Sequence, residues 1–474
     1  MNFKAVIGLE IHIQLKTNSK MFSSSPNTYG LEPNTSVSSY DMGFPGTMPT
    51  VNKKAVIHAI CVCHALKMSI DNELWFDRKN YFYPDLPKGY QITQHRRPIG
   101  KNGELTIKTK DGEKVIHISH LQIEEDAGKQ IHFKDKTLVD YNRAGIPLLE
   151  IVSEPEISNS DEAIQYIERI RSIVTFLDVS DGKMEEGSLR CDVNVSLYPY
   201  GGTTKGTKVE IKNVNTLLNI KKAIDFEINR QSRILYLGKK VPSETRRFDE
   251  IKRETVLMRV KNIDSDYKYF TEPNIAPIKL SDEFIKSAIE TSNELAEQKH
   301  ERYMKLGLSK YDADLLTNNK DMCSYFDETV DNGANPKQSA NWIITRVQEV
   351  LNKREIEIKD FPISASDLAD LIKFIQKGAI SNKQARDIFG KMLTEGKKPS
   401  EYISESDTQI INDSDAIRNE IIKVIDSQPS IIIDYKNGKE KVAGFIVGQV
   451  MKSTQGKANP SLTSKLVIEV LKEK

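Results

Sequence analysis

The sequence is poor in cysteine and tryptophan, with four of the first and two of the second in 474 residues. Four thiols are too few for a disulfide framework, which points to a reducing compartment. Long apolar runs are missing as well. Runs such as Gly444 to Val447 and Ile431 to Ile433 fall far short of the ~20 residues a membrane-spanning helix needs, so no membrane association is expected. Neither charge is in excess: 68 lysines and arginines meet 67 acids, a net charge of +1. A grip on a polyanion must therefore come from local patches rather than a global field. Ordered sequence begins at Ala5-Val6-Ile7, which leaves no room for a leader and makes a bacterial-type cytoplasmic address the simplest. The glycine-rich loops Gly-x-x-x-x-Gly-Lys-Ser/Thr and Gly-x-Gly-x-x-Gly do not occur, which excludes the familiar nucleotide cradles. Cys61, Cys63 and His64 sit in an apolar stretch of helical character without a second ligand pair, so they are read as core rather than as a metal site.

What is present is an ordinary globular composition, 38% hydrophobic and 28% charged, in a chain long enough for two or three domains. The first element is the clearest. Ile7, Leu9, Ile11, Ile13 and Leu15 alternate with Gly8, Glu10, His12 and Gln14. A period of two turns alternate side chains to opposite faces of a strand, which leaves Glu10 and His12 neighbours about 7 Å apart on one of them. Arg190 to Leu197 repeats the design, with Asp192, Asn194 and Ser196 on the polar side, and so does Lys208 to Lys212. Strands with one wet face belong to antiparallel sheets. Ser160 to Leu177 and Thr216 to Gln231 carry helical periodicity. Strands interrupted by helices without regular βαβ spacing predict an α+β domain up to about residue 275. Helical periodicity then takes over, as in Ser281 to Leu306 and Ala340 to Asn352, with a hinge-like stretch from Glu395 to Asp407.

Three constellations carry chemistry. Carboxylates cluster in apolar or glycine-rich surroundings: Glu10, Glu124, Glu125, Asp126, Glu150, Glu185, Glu186 and Asp192. Glu150 lies inside an apolar run, where an unpartnered carboxylate is costly. It must meet either a cation such as Arg143 or Arg190, or a metal, and an oxygen-rich set with one histidine suits Mg²⁺ or Mn²⁺. Asp77 to Pro84 holds two cations and three aromatics in eight residues, and Gly187-Ser188-Leu189-Arg190 leads into the Asp192 strand. Cations beside a divalent-metal site meet the needs of phosphoryl transfer; a charged surface turn is the plain alternative. From Lys436 to Lys474, eight lysines face three glutamates. The loop holding Lys452, Lys457 and Asn459 is suited to phosphate contacts, though charge alone equally fits a solvated face.

Taken together, Val6 to His12, Phe76 to Asp85, Glu124 to Lys129, Asn142 to Pro155, Lys183 to Asp192, Glu244 to Asp249 and Gly444 to Gln449 resemble the signatures of the B subunits of aspartyl/glutamyl-tRNA amidotransferases. The resemblance runs from residue 6 into the C-terminal segment. It implies an α+β cradle-type catalytic domain (1–293), an all-α helical domain (294–405) and a mobile α-helical, YqeY-like tRNA-binding tail (406–474). It also implies a ligase that uses ATP and Mg²⁺, with Mn²⁺ an alternative. The side-chain carboxyl of misacylated Glu-tRNA(Gln) or Asp-tRNA(Asn) is phosphorylated and then amidated. The ammonia is channelled from a glutaminase, the A-type partner, and a small C-type partner completes a heterotrimer.

On that reading Glu10, His12, Glu125 and Glu150 are the metal ligands, with Asp192 a further one; Glu124 can exchange roles with Glu125, because the strand phase is open. Glu125 is also expected to take part in catalysis with Lys79, Ser188 and Arg190, and the latter three to handle the phosphates. Lys452, Lys457 and Asn459 are expected on tRNA. Relatives carry two zinc-binding cysteine pairs where this chain has Ser23, Ser25, Ser38 and Asp41, so no structural zinc is expected. The competing expectations are a non-catalytic tRNA-binding adaptor of the same complex and a free-standing ligase acting on a small molecule.

Overall fold

The computed structural model describes residues 3–199, 206–260, 267–403, 413–428, 431–432, 435, 441–454 and 458–473. The chain divides into two compact units, Met1–Leu295 and Ala296–Lys474. The first is sheet-rich and the second helical. Among the described residues no helix is long and apolar enough to cross a membrane.

The first unit is organised by a mixed sheet. Its members in chain order are β1 (Phe3–Gln14), β2 (Ser69–Ile70), β6 (Gly100–Thr109), β7 (Gly112–Glu125), β10 (Pro147–Ser153), β11 (Leu189–Pro199), β12 (Val209–Val214), β13 (Glu244–Asp249) and β14 (Glu254–Val260). Between them lie the short strands β3 (Glu73–Leu74), β4 (Asp77–Asn80), β5 (Tyr90–Thr93), β8 (Lys129–His132) and β9 (Thr137–Asp140). In space the order is β14-β13-β12-β11-β1-β10-β7-β6-β2. Every pairing is antiparallel except β12 with β13.

The central strand β1 is the one with the period-two pattern. Ile7, Leu9, Ile11 and Ile13 are fully buried, or nearly so. They share a core with Leu149 and Ile151 of β10, Val193 and Val195 of β11, and the apolar stripes of three helices. These are α1 (Lys53–Ala65), α2 (Ser160–Phe176) and α3 (Leu217–Tyr236), capped at their N-termini by Asn52, Asn159 and Thr216. The helices thus cover one face of the sheet, and the polar residues of the same strands are left on the other. Cys61 and Cys63 are buried in α1, where burial pushes the Cys63 thiol well above its usual range.

The loop after β1 is held by a polar knot at the positions read as zinc substitutes. Asp41 accepts hydrogen bonds from Ser23 Oγ (2.8 Å), Ser25 Oγ (2.6 Å) and Ser38 N (2.9 Å). Opposite it lies Lys20, fully buried, with Nζ 3.4 Å from Asp41 Oδ2 and from the Tyr141 carbonyl. Burial pushes Lys20 below the usual lysine range, opposed by Asp41.

One expected helix is broken near the boundary of the two units. The expected helix from Ser281 to Leu306 is two helices, Asp282–Glu290 and Ala296–Lys305. The Thr291 and Ser292 hydroxyls bond back to the Ala288 and Ile289 carbonyls and end the first helix there. Around the expected hinge, Gly396 takes a left-handed φ of 69° to close the helix Asn382–Glu395. The expected junction at 405/406 lies outside the described residues. Helices Ser414–Ser427, Lys441–Ser453 and Pro460–Glu473 share a small core of Ile417, Ile421, Ile446, Val450, Val467 and Leu471.

Removing one partner of a buried ion pair strands the other charge, at a cost of about 3 kcal/mol or more. Asp41→Asn should therefore lower stability by about that much in urea unfolding, and Lys20→Met/Asp41→Asn should cost less than Asp41→Asn alone. Equal stability of Asp41→Asn and the unmodified chain would remove the knot from the account.

Candidate active site

The polar face of the sheet brings distant acids together through strand register. His12 on β1 is the Cα partner of Glu150 on β10 and of Arg190 on β11, and Glu10 is the partner of Asp192. Glu150 in turn pairs with Gln122 on β7, and Leu148 with Glu124. Cross-strand partners share a face, so these side chains form one contiguous surface. Glu10, His12 and Glu150 each offer a ligand atom, and these atoms all lie within 4.8 Å of one another. His12 Nε2 is 3.8 Å from Glu10 Oε1 and 3.5 Å from Glu124 Oε1.

Glu124, rather than Glu125, lies beside this group. Neighbouring strand residues turn opposite ways, and Glu125 is directed onto Lys88. Both its oxygens lie 2.6 Å from Lys88 Nζ, and one also accepts from Ile92 N at 3.0 Å. The open phase is thus resolved in favour of Glu124, and Glu125 is locked in a buried ion pair. Arg143 and Arg190, the cations weighed against Glu150, both turn to Asp126 instead, at 3.6 Å and 2.7 Å. Glu150 accepts from Gln122 Nε2 and lies within hydrogen-bond reach of Glu10.

The electrostatics are governed first by burial. Burial holds His12 down to about 4, with Arg190 and Lys212 adding to the effect and Glu10 opposing it, so the ring is neutral at pH 7 with a lone pair to give. Burial pushes Glu124 up to about 7, opposed by Lys79 and reinforced by Asp126 and Glu10. Burial, followed by the charges of Glu124 and Glu10, drives Glu150 well above the usual carboxylate range. The crowded carboxyls thus hold protons that a divalent cation would displace. Octahedral Mg²⁺ at about 2.1 Å places its ligand atoms about 3 to 4 Å apart. One neutral imidazole and two or three carboxylates at the observed spacing fit such an ion.

The other expected residues are distributed as follows. Lys79 Nζ lies 4.9 Å from the centre of the Tyr267 ring, and its charge reaches Glu124 and Glu150. Arg190 has a buried Nε without a hydrogen-bond partner, a donor suited to an anion at the rim of the acid cluster. Ser188 is less available: its hydroxyl accepts from Lys183 N (2.8 Å) and donates to Lys183 O (3.0 Å), so it ties the turn that launches β11. Asp192 stands beside Glu10 but is bound by Lys212. Lys452 is exposed near the end of its helix. Asn459 Oδ1 accepts from Leu462 N (3.2 Å) at the start of the last helix, and Lys457 lies outside the described residues. Lys88, Lys212 and Asp126 were not singled out for these roles from sequence. Lys212 stands out only as a charge in an alternating strand and Lys88 only as a charge in a Pro-Lys-Gly turn, and nothing local names their partners.

A ligand that binds only the folded chain at 100 times its dissociation constant stabilises it by about 2.7 kcal/mol. Mn²⁺ should raise the melting temperature accordingly. Glu150→Gln, which removes a repulsive carboxylate, should melt no lower than the unmodified chain without metal and lose the Mn²⁺ shift. An equal shift in both proteins would place the ion elsewhere.

Comparison with known proteins bears on the whole chain. Residues 5–286 match the family model described as the GatB/GatE catalytic domain, and residues 324–471 match the one described as the GatB domain. The chain is 45% identical over 476 residues to the B subunit of the aspartyl/glutamyl-tRNA(Asn/Gln) amidotransferase of Geobacillus thermodenitrificans, covering all of both proteins. It is 46% identical to that of Geobacillus kaustophilus over 99% of each chain. With the Bacillus cereus AH187 protein the identity is 44% over the full length of both.

Proposed function

Since the chain belongs to the family of aspartyl/glutamyl-tRNA(Asn/Gln) amidotransferase B subunits, we propose that the polar face of its sheet is the amidation centre of a tRNA-dependent amidotransferase. The substrate is the side-chain carboxyl of Glu-tRNA(Gln) or Asp-tRNA(Asn). A carboxylate is a poor electrophile, so it is first phosphorylated by ATP, and ammonia then displaces phosphate to leave the amide. Ammonia comes from glutamine hydrolysed by a partner glutaminase, with a small third protein completing the complex, which makes the whole a glutamine-dependent carbon–nitrogen ligase. The C-terminal helices serve as a mobile tail that holds tRNA.

The observation that carries this reading is the convergence of Glu10, His12 and Glu150 on one face. These residues would hold a divalent cation, with Glu124 beside them. The ion, when bound, supplies charge neutralisation for the transferred phosphoryl group. The protein's part is positioning. Asp126 fixes Arg190 so that its guanidinium is presented without rotamer freedom. Lys79, stacked on Tyr267, brings a second positive charge to the acids. Lys88 keeps Glu125 out of the cluster and fixes the end of β7, which sets the phase of Glu124.

Glu10→Gln or Glu150→Gln should reduce ATP-dependent amidation by at least about 100-fold, as loss of one preorganised electrostatic partner does. Affinity for tRNA in a filter-binding assay should be unaffected. Full activity in both variants would favour the non-catalytic adaptor. Separately, removing residues 406–474 should weaken tRNA binding and flatten its dependence on salt, because fewer phosphates are neutralised; an unchanged slope would take the tail off the tRNA.

A further inference from the structure

The acid surface extends past Glu10. Asp192 on β11 is the Cα partner of Glu10, and the next polar-face position on that strand, Asn194, pairs with Glu210 of β12. Glu210, Asp192, Glu10 and Glu150 therefore follow one another across four adjacent strands. Two-ion phosphoryl-transfer centres use such rows, with their cations roughly 4 Å apart. Here one stretch of the row is occupied by the protein itself. Lys212 Nζ binds Asp192 Oδ2 and lies 3.0 Å from Glu210 Oε1. The second oxygen of Glu210 accepts from Thr245 Oγ1 at 2.9 Å, which ties that carboxylate to β13.

The backbone is built to deliver this lysine. Cys191 pairs with Val214 and Val193 with Ile211, so Lys212 and Asn213 together face the single residue Asp192. That is a β-bulge, a device that re-aims a side chain. Asn213 takes a left-handed φ of 59° in it, a conformation that costs energy in a residue other than glycine. The charge reaches beyond its two direct partners: it acts on Glu10 and on His12.

We propose that Lys212 is a resident cation of the acid row. Its ammonium fills the place between Asp192 and Glu210 that a second divalent ion would otherwise take, and so restricts the centre to one exchangeable ion at Glu10, His12 and Glu150. The lysine is a positioning residue, acting on the ion through Asp192 and Glu10. The inference rests on the metal-centred reading above, and the two are separable by experiment.

The test counts Mn²⁺ by electron paramagnetic resonance on the full chain assembled with its partner proteins. The unmodified protein should bind one ion per chain at this face, a signal that Glu150→Gln removes. Lys212→Met should bind a second, and Lys212→Met/Asp192→Asn should lose it again. Lys212→Arg should bind one. Lys212→Gln, which can still hydrogen-bond both acids, serves in place of the methionine variant if that one does not fold. Neutral variants that bind one ion with unchanged affinity would overturn the role of Lys212 and leave the metal centre standing. No Mn²⁺ at this face in the unmodified protein would overturn the metal centre itself, and this inference with it.

Discussion

The site depends on the register of β1 against β10, with His12 opposite Glu150. Because side chains alternate with a period of two, a slip of one residue would send His12 and Glu10 into the helix-covered core and Ile11 and Ile13 out of it. The register is therefore held by the whole apolar face: Ile7, Leu9, Ile11 and Ile13 pack with Leu149 and Ile151, and burial of each such side chain contributes about 2 kcal/mol. Folding energy from one face of the sheet thus fixes the position of acids on the other. Glu124 and Glu150 work against this rather than for it, since burial, and then repulsion by neighbouring carboxylates, raises both above their ordinary range.

Around that crowded centre the protein distributes its cations selectively. Arg190 and Arg143 are taken by Asp126, Lys88 by Glu125, Lys212 by Asp192 and Glu210. Glu10, His12 and Glu150 make their direct contacts with one another, Gln122 and Glu124, and feel Lys212 and Lys79 only through charge at a distance. A fold that served only to neutralise its acids had arginines near enough to do so. The pattern instead gathers buried, crowded carboxyls at one point, where a divalent ion would displace the protons that burial and crowding favour, an arrangement that a purely structural salt-bridge network avoids.

Much of this was legible in the chain itself. The alternation in Val6 to Leu15 placed Glu10 and His12 side by side, because a period of two is a local property of the chain. The placement of Glu150 in an apolar run signalled an enforced partner. The choice between Glu124 and Glu125 was not legible: both lie at the end of β7, and their phase follows from pairing with Leu148 and Pro147, more than twenty residues away. For the same reason the partners of Arg190 and Lys88 were hidden. Ser188 reads in sequence as a phosphate ligand beside a glycine, yet its hydroxyl is used up by the Lys183 backbone, since serine in a tight turn bonds locally first. Lys212 was visible as one polar residue of an alternating strand, whereas the bulge that aims it at Asp192 arises only from its pairing with β11.

The central claim is that three acids and one histidine from β1, β7 and β10 gather around a single divalent ion. Anomalous diffraction from crystals of the protein grown with Mn²⁺ tests it most directly. One peak is expected on the polar face of the sheet, at coordination distance, about 2.1 Å, from oxygens of Glu10 and Glu150 and from Nε2 of His12, with Glu124 alongside. A well-ordered map with the ion at Glu125 and Lys88, or with no ion on this face, would contradict it.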